Sequence, residues 1–101
     1  MSYKWPNKDP QDTLDYTFDW SRLLGATTIT NVVWEINGTV ISGPGQTVDS
    51  LTSVNTTSSP TSTTILLSGG TVNVTYNISC RITSSSGLVV ERSARVSIKE
   101  Q

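Results

Sequence analysis

The sequence predicts an all-β protein: an immunoglobulin-like antiparallel β-sandwich of about seven strands, preceded by an extended N-terminal arm. Three observations lead to this prediction. The chain has 101 residues, which fits one domain; short segments alternate apolar and polar side chains; and turn signals recur about every 8–12 residues. A β-barrel of similar strand count stays open, because strand patterns do not determine the order of strands in a sheet.

The N-terminal residues are predicted to form an extended arm. The segment 3–13 carries two prolines, two lysines and two aspartates around Trp5. Proline lacks a backbone donor and therefore disfavours both a helix and a central strand. We divide the chain into an arm at 1–13 and a sandwich domain at 14–101.

The next segments predict two strands and a hairpin. Leu14–Trp20 places four large apolar side chains at alternating positions, which is typical of a half-buried strand. Ser21–Ala26 reads as a loop, and Thr28–Asn37 as a second strand. Asn37-Gly38 favours a type I′ turn, so Thr39–Ser42 is expected to return as a short third strand.

The second half of the chain predicts a polar middle and a strong closing hairpin. Residues 43–62 are rich in Ser and Thr and suggest one weak edge strand flanked by loops. Thr63–Leu67 reads as a short strand, residues 72–83 alternate without a fault, and Leu88–Ile98 continues the apolar face.

The alternation also predicts the core. If a strand near the arm precedes Leu14–Trp20, Trp34 would be the buried tryptophan on the third strand of an immunoglobulin sandwich, and Cys80, on the penultimate strand, would face it as a small core side chain. Cys80 is the only cysteine, so an internal disulfide is excluded. The core residues predicted from their strand positions are Phe18, Trp20, Trp34, Val74, Tyr76, Ile78, Cys80 and Val96.

Composition argues against several classes of function. Seven basic and eight acidic side chains nearly cancel, whereas a nucleic-acid-binding protein needs a basic surface. Histidine is absent, which removes the usual general base and zinc ligand. We expect no enzyme activity and no cofactor.

Hydropathy points to a soluble chain. Apolar runs are about three residues long, against the roughly 20 that cross a bilayer, and no secretory signal is recognised at the N-terminus. We therefore expect a protein made in the cytoplasm with no membrane or nucleic-acid partner.

Several motifs are better explained by structure than by chemistry. The acidic series is expected to be solvated, because two carboxylates four residues apart on a strand lie roughly 13 Å from each other and cannot share one ion unaided. Arg92, at an inward position, is expected either to extend past the edge of the core or to pair with a carboxylate such as Asp15, Asp19 or Glu35. The four Asn-x-Ser/Thr sequons, also expected to be solvated, are at Asn37, Asn55, Asn73 and Asn77. The acidic series is Asp9, Asp12, Asp15 and Asp19.

Trp5 is the strongest candidate for a partner contact. It is a large apolar side chain in a segment too polar to form its own core. Either it folds back to close one end of the sandwich, or it binds a partner with charges at the rim. The predicted partner-binding residues are Lys4, Trp5, Pro6 and Lys8.

Four motifs also carry a resemblance to a known family. They are YKWPNKDPQDTLDYTFDWS at 3–21, a leucine pair and Gly at 23–25, LSGGT at 67–71, and ERS at 91–93. In this order they resemble small tailed-phage structural proteins, the fiber-tail adaptor or Ig-like virion proteins. The likeness covers nearly the whole chain, although the segment 43–62 is longer and richer in Ser and Thr than expected.

The resemblance implies a non-enzymatic virion protein that links components of the tail, neck or fiber. Its expected partners are other virion proteins, with multiple copies per particle. A capsid decoration protein remains an alternative, as does a carbohydrate-binding or adhesin-type module. The sugar-binding alternative needs exposed aromatic rings, whereas most aromatic residues here fall on inward positions.

Overall fold

The computed structural model describes residues 2–5 and 7–100, with residues 2–4 described as backbone. These residues form nine strands and the single-turn helix α1 (Ser21–Leu24). The strands are β1 (Ser2–Lys4), β2 (Thr13–Asp19), β3 (Ile29–Ile36), β4 (Thr39–Val40), β5 (Gln46–Val48), β6 (Leu51–Ser58), β7 (Ser62–Gly69), β8 (Thr75–Ser84) and β9 (Val89–Ser97).

The strands form two sheets that pack face to face. One has the order β1-β9-β8-β3-β4 and the other the order β2-β7-β6-β5. All named pairings are antiparallel except that of β1 with β9, which is parallel. The neighbours β3, β8 and β9 and the neighbours β2, β7 and β6 correspond to the C-F-G and B-E-D arrangements of immunoglobulin domains. The predicted sandwich is confirmed. It has nine described strands instead of about seven, and the short ones, β1, β4 and β5, have only two or three residues each.

The core lies between the two inner faces and confirms most of the expected set. Trp34 and Cys80 are direct partners in the β3–β8 register, and the Cys80 sulfur lies 3.3 Å from the Thr63 hydroxyl of the opposite sheet. The rings of Phe18 and Trp34 meet across the sandwich with centroids 6.0 Å apart. The predicted core residues that are buried are Phe18, Trp20, Trp34, Tyr76, Ile78, Cys80 and Val96.

The prediction for Val74 is wrong. Its side chain is 36% exposed, because β8 begins one residue later and Val74 donates its backbone N–H to Thr71 within a turn. Asn73 takes a left-handed conformation (φ 68°), which ends the alternation of the segment 72–83 on its N-terminal side. Ile98, fully buried, packs at this end of the core instead.

The polar middle contains two strands where the sequence predicted one. β5 and β6 pair through a tight turn at Asp49 and Ser50, which both have positive φ (50° and 74°). Neither residue type signals such a turn strongly, so the prediction of one edge strand in 43–62 was incomplete. The segment predicted as a loop at Ser21–Ala26 likewise contains α1, which buries Leu24.

The arm is extended, as predicted, and joins the edge of a sheet. β1 pairs with β9 from Ser93 to Arg95, and Lys8 forms an isolated parallel bridge with Ile98. Whether arm and sandwich are separate folding units stays a prediction. No helix in the described part of the chain is long and apolar enough to cross a membrane.

Candidate interaction surfaces

Trp5 closes one side of the sandwich. Its backbone N–H donates to Arg95 on β9 at 2.9 Å, while its ring packs on Tyr16 and Phe18 of β2, with centroids 4.8 Å away in both cases. The side chain is half-buried and contacts the core cluster. The arm therefore brings an aromatic ring into the gap between the edges of the two sheets.

Arg92 also bridges the edges of the two sheets, at the C-terminal end of β2. Its guanidinium carbon lies 4.9 Å from the centroid of the Trp20 ring, and its Nη1 donates to the Asp19 carbonyl oxygen at 3.4 Å. A cation over the face of tryptophan is attracted by the ring quadrupole. The structure gives Arg92 a half-buried stem at the edge of the core, with a backbone oxygen and a ring among its partners, and its charge helps to lower the pKa of the Asp19 carboxyl, which is lowered mainly by hydrogen bonds from Ser21.

Lys8 is not at an exposed rim, contrary to the expectation. Its side chain is fully buried, and Nζ donates to the carbonyl oxygens of Gly69 at 2.8 Å and Asp9 at 2.9 Å. Burial lowers the pKa of the ammonium below its ordinary value, and the charges of Asp12 and Asp9 partly offset this effect. The Lys4 side chain and Pro6 lie outside the described residues, and partner binding by these arm residues stays a prediction.

A backbone and hydroxyl network holds the end of the sandwich beside Lys8. The Tyr76 hydroxyl donates to the Asp49 carbonyl oxygen at 2.6 Å and accepts from the Thr71 backbone N–H at 3.0 Å. The Gly70 backbone N–H donates to Ser50 at 2.8 Å. This resembles the tyrosine corner of immunoglobulin domains, in which a tyrosine hydroxyl bonds backbone a few residues upstream. The network fixes the loop after β7 against the β5–β6 turn.

β2 leaves one edge of its sheet open. The Trp20 backbone N–H donates to the Thr61 carbonyl oxygen at 2.8 Å, in register with the β2–β7 pairing. In an antiparallel pair, residues bonded to the partner alternate with residues whose backbone groups point away. The even-numbered residues of β2 therefore bond β7, and the backbone groups of Asp15 and Thr17 point away from it. No other strand of the described chain pairs with this side of β2.

A second open edge lies across the same sheet. β5 pairs with β6 only at Leu51–Ser53. The Ser59 backbone N–H donates to Ser62 in the β6–β7 register, so Thr56 and Ser58 point their backbone groups away from β7. Within the described ranges no strand covers this half of β6. The sheet therefore presents one open edge at each side.

The two edges differ in charge. β2 carries exposed carboxylates at Asp15 and Asp19, whereas the sequence from residue 50 to residue 80 contains no charged side chain. An open depression of about 210 Å³ crosses the outer face of this sheet between the edges. Its lining residues are Asp15, Asn55, Thr57, Thr64 and Leu66.

The comparison with protein families is decisive. The family model described as podophage GP4 fiber-tail adaptor protein gp77 matches residues 8–97. The chain belongs to this family. The suspected fiber-tail adaptor resemblance is thereby confirmed, while comparison with curated proteins finds no match.

Two pairs of motifs that carry the adaptor resemblance meet in space. Lys8, from the first motif, reaches Gly69 of LSGGT, and Trp20, from the same first motif, lies beneath Arg92 of ERS. Both contacts join the N-terminal third of the adaptor to its second half. These motif residues stabilise the sandwich, and sequence reasoning had no signal that would pair them.

The other sequence candidates are accommodated within the adaptor fold. Asn37 accepts from the Asn77 backbone N–H at 2.9 Å through its side-chain oxygen. Asp9 and Asp19 each accept a backbone N–H two residues ahead, from Gln11 and Ser21. In the described part of the chain, no group of three or more His, Cys, Asp or Glu is arranged to bind a metal ion.

Proposed function

We propose that this chain is a non-enzymatic structural adaptor that joins a tail fiber to the phage tail by protein–protein contacts. An adaptor must bind two partners at once. The observation that supports this most directly is the pair of open edges on opposite sides of one sheet, in a member of a fiber-tail adaptor family. Each edge offers unpaired backbone donors and acceptors, which a strand of another protein can bond.

The rigid core between the two edges suits this role. The sheets are joined by contacts between Phe18 and Trp34 and by the brace of Arg92 on Trp20. Packed interiors have low compressibility and hold their surfaces at a fixed separation. Two partners bound at the two edges would therefore keep a defined distance and angle.

Placement in the virion, with other tail proteins as partners, follows from the name of the family and forms part of the proposal. The partner contact predicted for Lys4, Trp5, Pro6 and Lys8 also remains part of it. With Lys8 buried, its role there would be to hold the arm in place, and Trp5 would offer the exposed part of its ring.

The alternative of a sugar-binding module has less support. Stacking on a sugar needs an exposed aromatic face, and the described aromatic side chains are buried apart from the half-buried Trp5. These buried residues are Tyr16, Phe18, Trp20, Trp34 and Tyr76.

The test is a phage from which the gene for this protein is deleted. We expect particles with intact heads and tails but without fibers in negative-stain images, and recovery of fibers when the purified protein is supplied. Fibers that remain attached in the deletion particles would contradict the adaptor role. A tagged copy found on the head shell would favour the capsid decoration alternative.

A further inference from the structure

The open edge of β2 carries a more specific inference, which rests on the proposed adaptor function. We propose that this edge is the tail-side docking site. It would receive an extended segment of the tail partner, which adds one strand to the four-stranded sheet and carries basic residues four positions apart.

The backbone supports an extended partner. β2 is seven residues long, and the N–H and C=O groups of Asp15 and Thr17 face outward in the spacing of a strand ladder. A strand of another protein satisfies such a row of alternating donors and acceptors. Trp5 shields the apolar inner face of β2 behind this edge, so the edge is open while the core stays closed.

The charges define the partner further. Asp15 and Asp19 lie on one face of β2, exposed, roughly 13 Å apart for four residues of strand. A second copy of this chain fits poorly, because antiparallel pairing of two β2 strands about Thr17 places Asp15 of one copy opposite Asp19 of the other. Like charges directly opposite each other destabilise a strand pair, whereas opposite charges stabilise it. A strand with Lys or Arg at positions i and i+4 matches both carboxylates.

Thr17→Pro is the most direct test. Proline removes an N–H that faces the open side and leaves the β2–β7 bonds intact, which is the position where an edge strand tolerates proline. Thr17→Val is the first control, because it removes only the hydroxyl that contacts Thr64 at 2.8 Å. Thr56→Pro is the second control, because it makes the same change at the opposite edge.

Binding is measured to fiberless phage particles, which are purified from a phage that lacks the gene for this protein. We expect parent, Thr17→Val and Thr56→Pro proteins to bind these particles equally, and Thr17→Pro to bind at least tenfold more weakly. Deuterium uptake at the backbone N–H groups of Asp15 and Thr17, which face the open side, should be fast in the free protein and slow in the bound one.

A charge variant tests the same edge without changing the backbone, which keeps the inference testable if Thr17→Pro does not fold. Asp15→Lys is expected to weaken binding at least tenfold at low salt, with part of the loss recovered as salt rises. Glu100→Lys makes the same change in charge at an exposed residue away from the edge and should bind as the parent does.

The outcomes separate this inference from the proposed function. Parent protein that does not bind the particles overturns the adaptor role itself. Binding by Thr17→Pro equal to that of Thr17→Val, equal losses in both proline variants, or slow exchange of the Asp15 and Thr17 N–H groups in the free protein each overturn the β2 edge and leave the adaptor role standing. An Asp15→Lys variant that binds like Glu100→Lys overturns the basic partner strand.

Discussion

The ammonium group of Lys8 donates a hydrogen bond to the backbone carbonyl oxygen of Gly69, 2.8 Å away and 61 positions further along the chain. A buried lysine is uncommon unless its donors are satisfied. Here one further bond goes to the Asp9 carbonyl oxygen. The contact ties the arm to the end of β7, where the chain begins its crossing to the other sheet.

Lys8→Ala is expected to lower the free energy of unfolding by about 2 kcal/mol, because it removes two charge-assisted hydrogen bonds and leaves the Gly69 carbonyl unpaired. Urea unfolding measures the change. Lys99→Ala, at an exposed lysine, is the matched control and should stay within about 0.5 kcal/mol of the parent. Equal effects of the two substitutions would contradict the assigned role of Lys8.

Gly70→Ala is expected to destabilise the protein by about 2–3 kcal/mol, from backbone strain and overpacking together. Gly70 has φ 104°, and an added Cβ would lie 2.8 Å from two side-chain carbons of Ile98. Gly87→Ala is the control, since it has a similar φ of 90° but nothing within 4 Å, and should cost only about 1 kcal/mol. Thermal melting of both variants separates steric crowding from strain.

Periodicity predicted the parts of the fold that depend on one strand at a time. The alternation around Tyr76, Ile78 and Cys80 identified buried positions correctly, because side chains on successive strand residues must point to opposite faces. It failed at Val74 because the left-handed conformation of Asn73 interrupts the strand, and an asparagine is compatible with both states.

Features that depend on the order of strands in the sheets could not be predicted from the sequence. The open edge of β2 exists because β1 pairs with β9 and not with β2, and nothing in the arm's composition chooses between those two neighbours. The burial of Lys8 could not be predicted either. Its partners are backbone carbonyl oxygens, which every residue type provides. Composition did indicate that the arm is extended, because its prolines disfavour a helix and a central strand.

Trp34→Ala is expected to cost roughly 3–5 kcal/mol, a large share of the stability of a small domain. Trp34 is 4% exposed and lies against Phe18. Trp34→Phe should cost clearly less, because the Trp34 indole N–H is buried without a hydrogen-bond partner in the described chain, so the smaller ring loses no bond. Chemical denaturation compares the two, and equal losses would contradict this account.

Trp5→Ala is expected to lower stability by about 2 kcal/mol, less than Trp34→Ala because Trp5 is only half-buried. The rings of Tyr16 and Phe18 would lose their cover at the open side of the sandwich. Melting temperature tests this role, and incorporation into particles tests the predicted partner contact. Unchanged melting with lost incorporation would make Trp5 a binding residue; unchanged values in both would make it dispensable.

Stability is expected to fall as pH rises above 9, because burial raises the pKa of the Cys80 thiol to about 11 from an ordinary value of 9.0. Between these values the unfolded chain releases the proton and the folded chain keeps it. The unfolded state therefore binds fewer protons, and raising the pH favours unfolding. Two pKa units correspond to about 2.7 kcal/mol lost by pH 11.

Tyr16 and Lys8 also change the free energy of unfolding at high pH, and their effects have opposite signs. The contribution of Cys80 is therefore measured by comparing variants. Burial raises the pKa of Tyr16 to about 12, which adds to the loss above pH 10. The lowered pKa of Lys8 opposes this loss of stability, because the unfolded chain then holds the extra proton.

Urea unfolding of the parent and of Cys80→Ala at pH 7, 9 and 10.5 isolates the effect of the thiol. Cys80→Ala should be less stable than the parent at pH 7, from the lost contact with Thr63 and the cavity, and the difference should shrink as pH rises. A constant difference across the three pH values would show that the Cys80 pKa is the same in the folded and unfolded states.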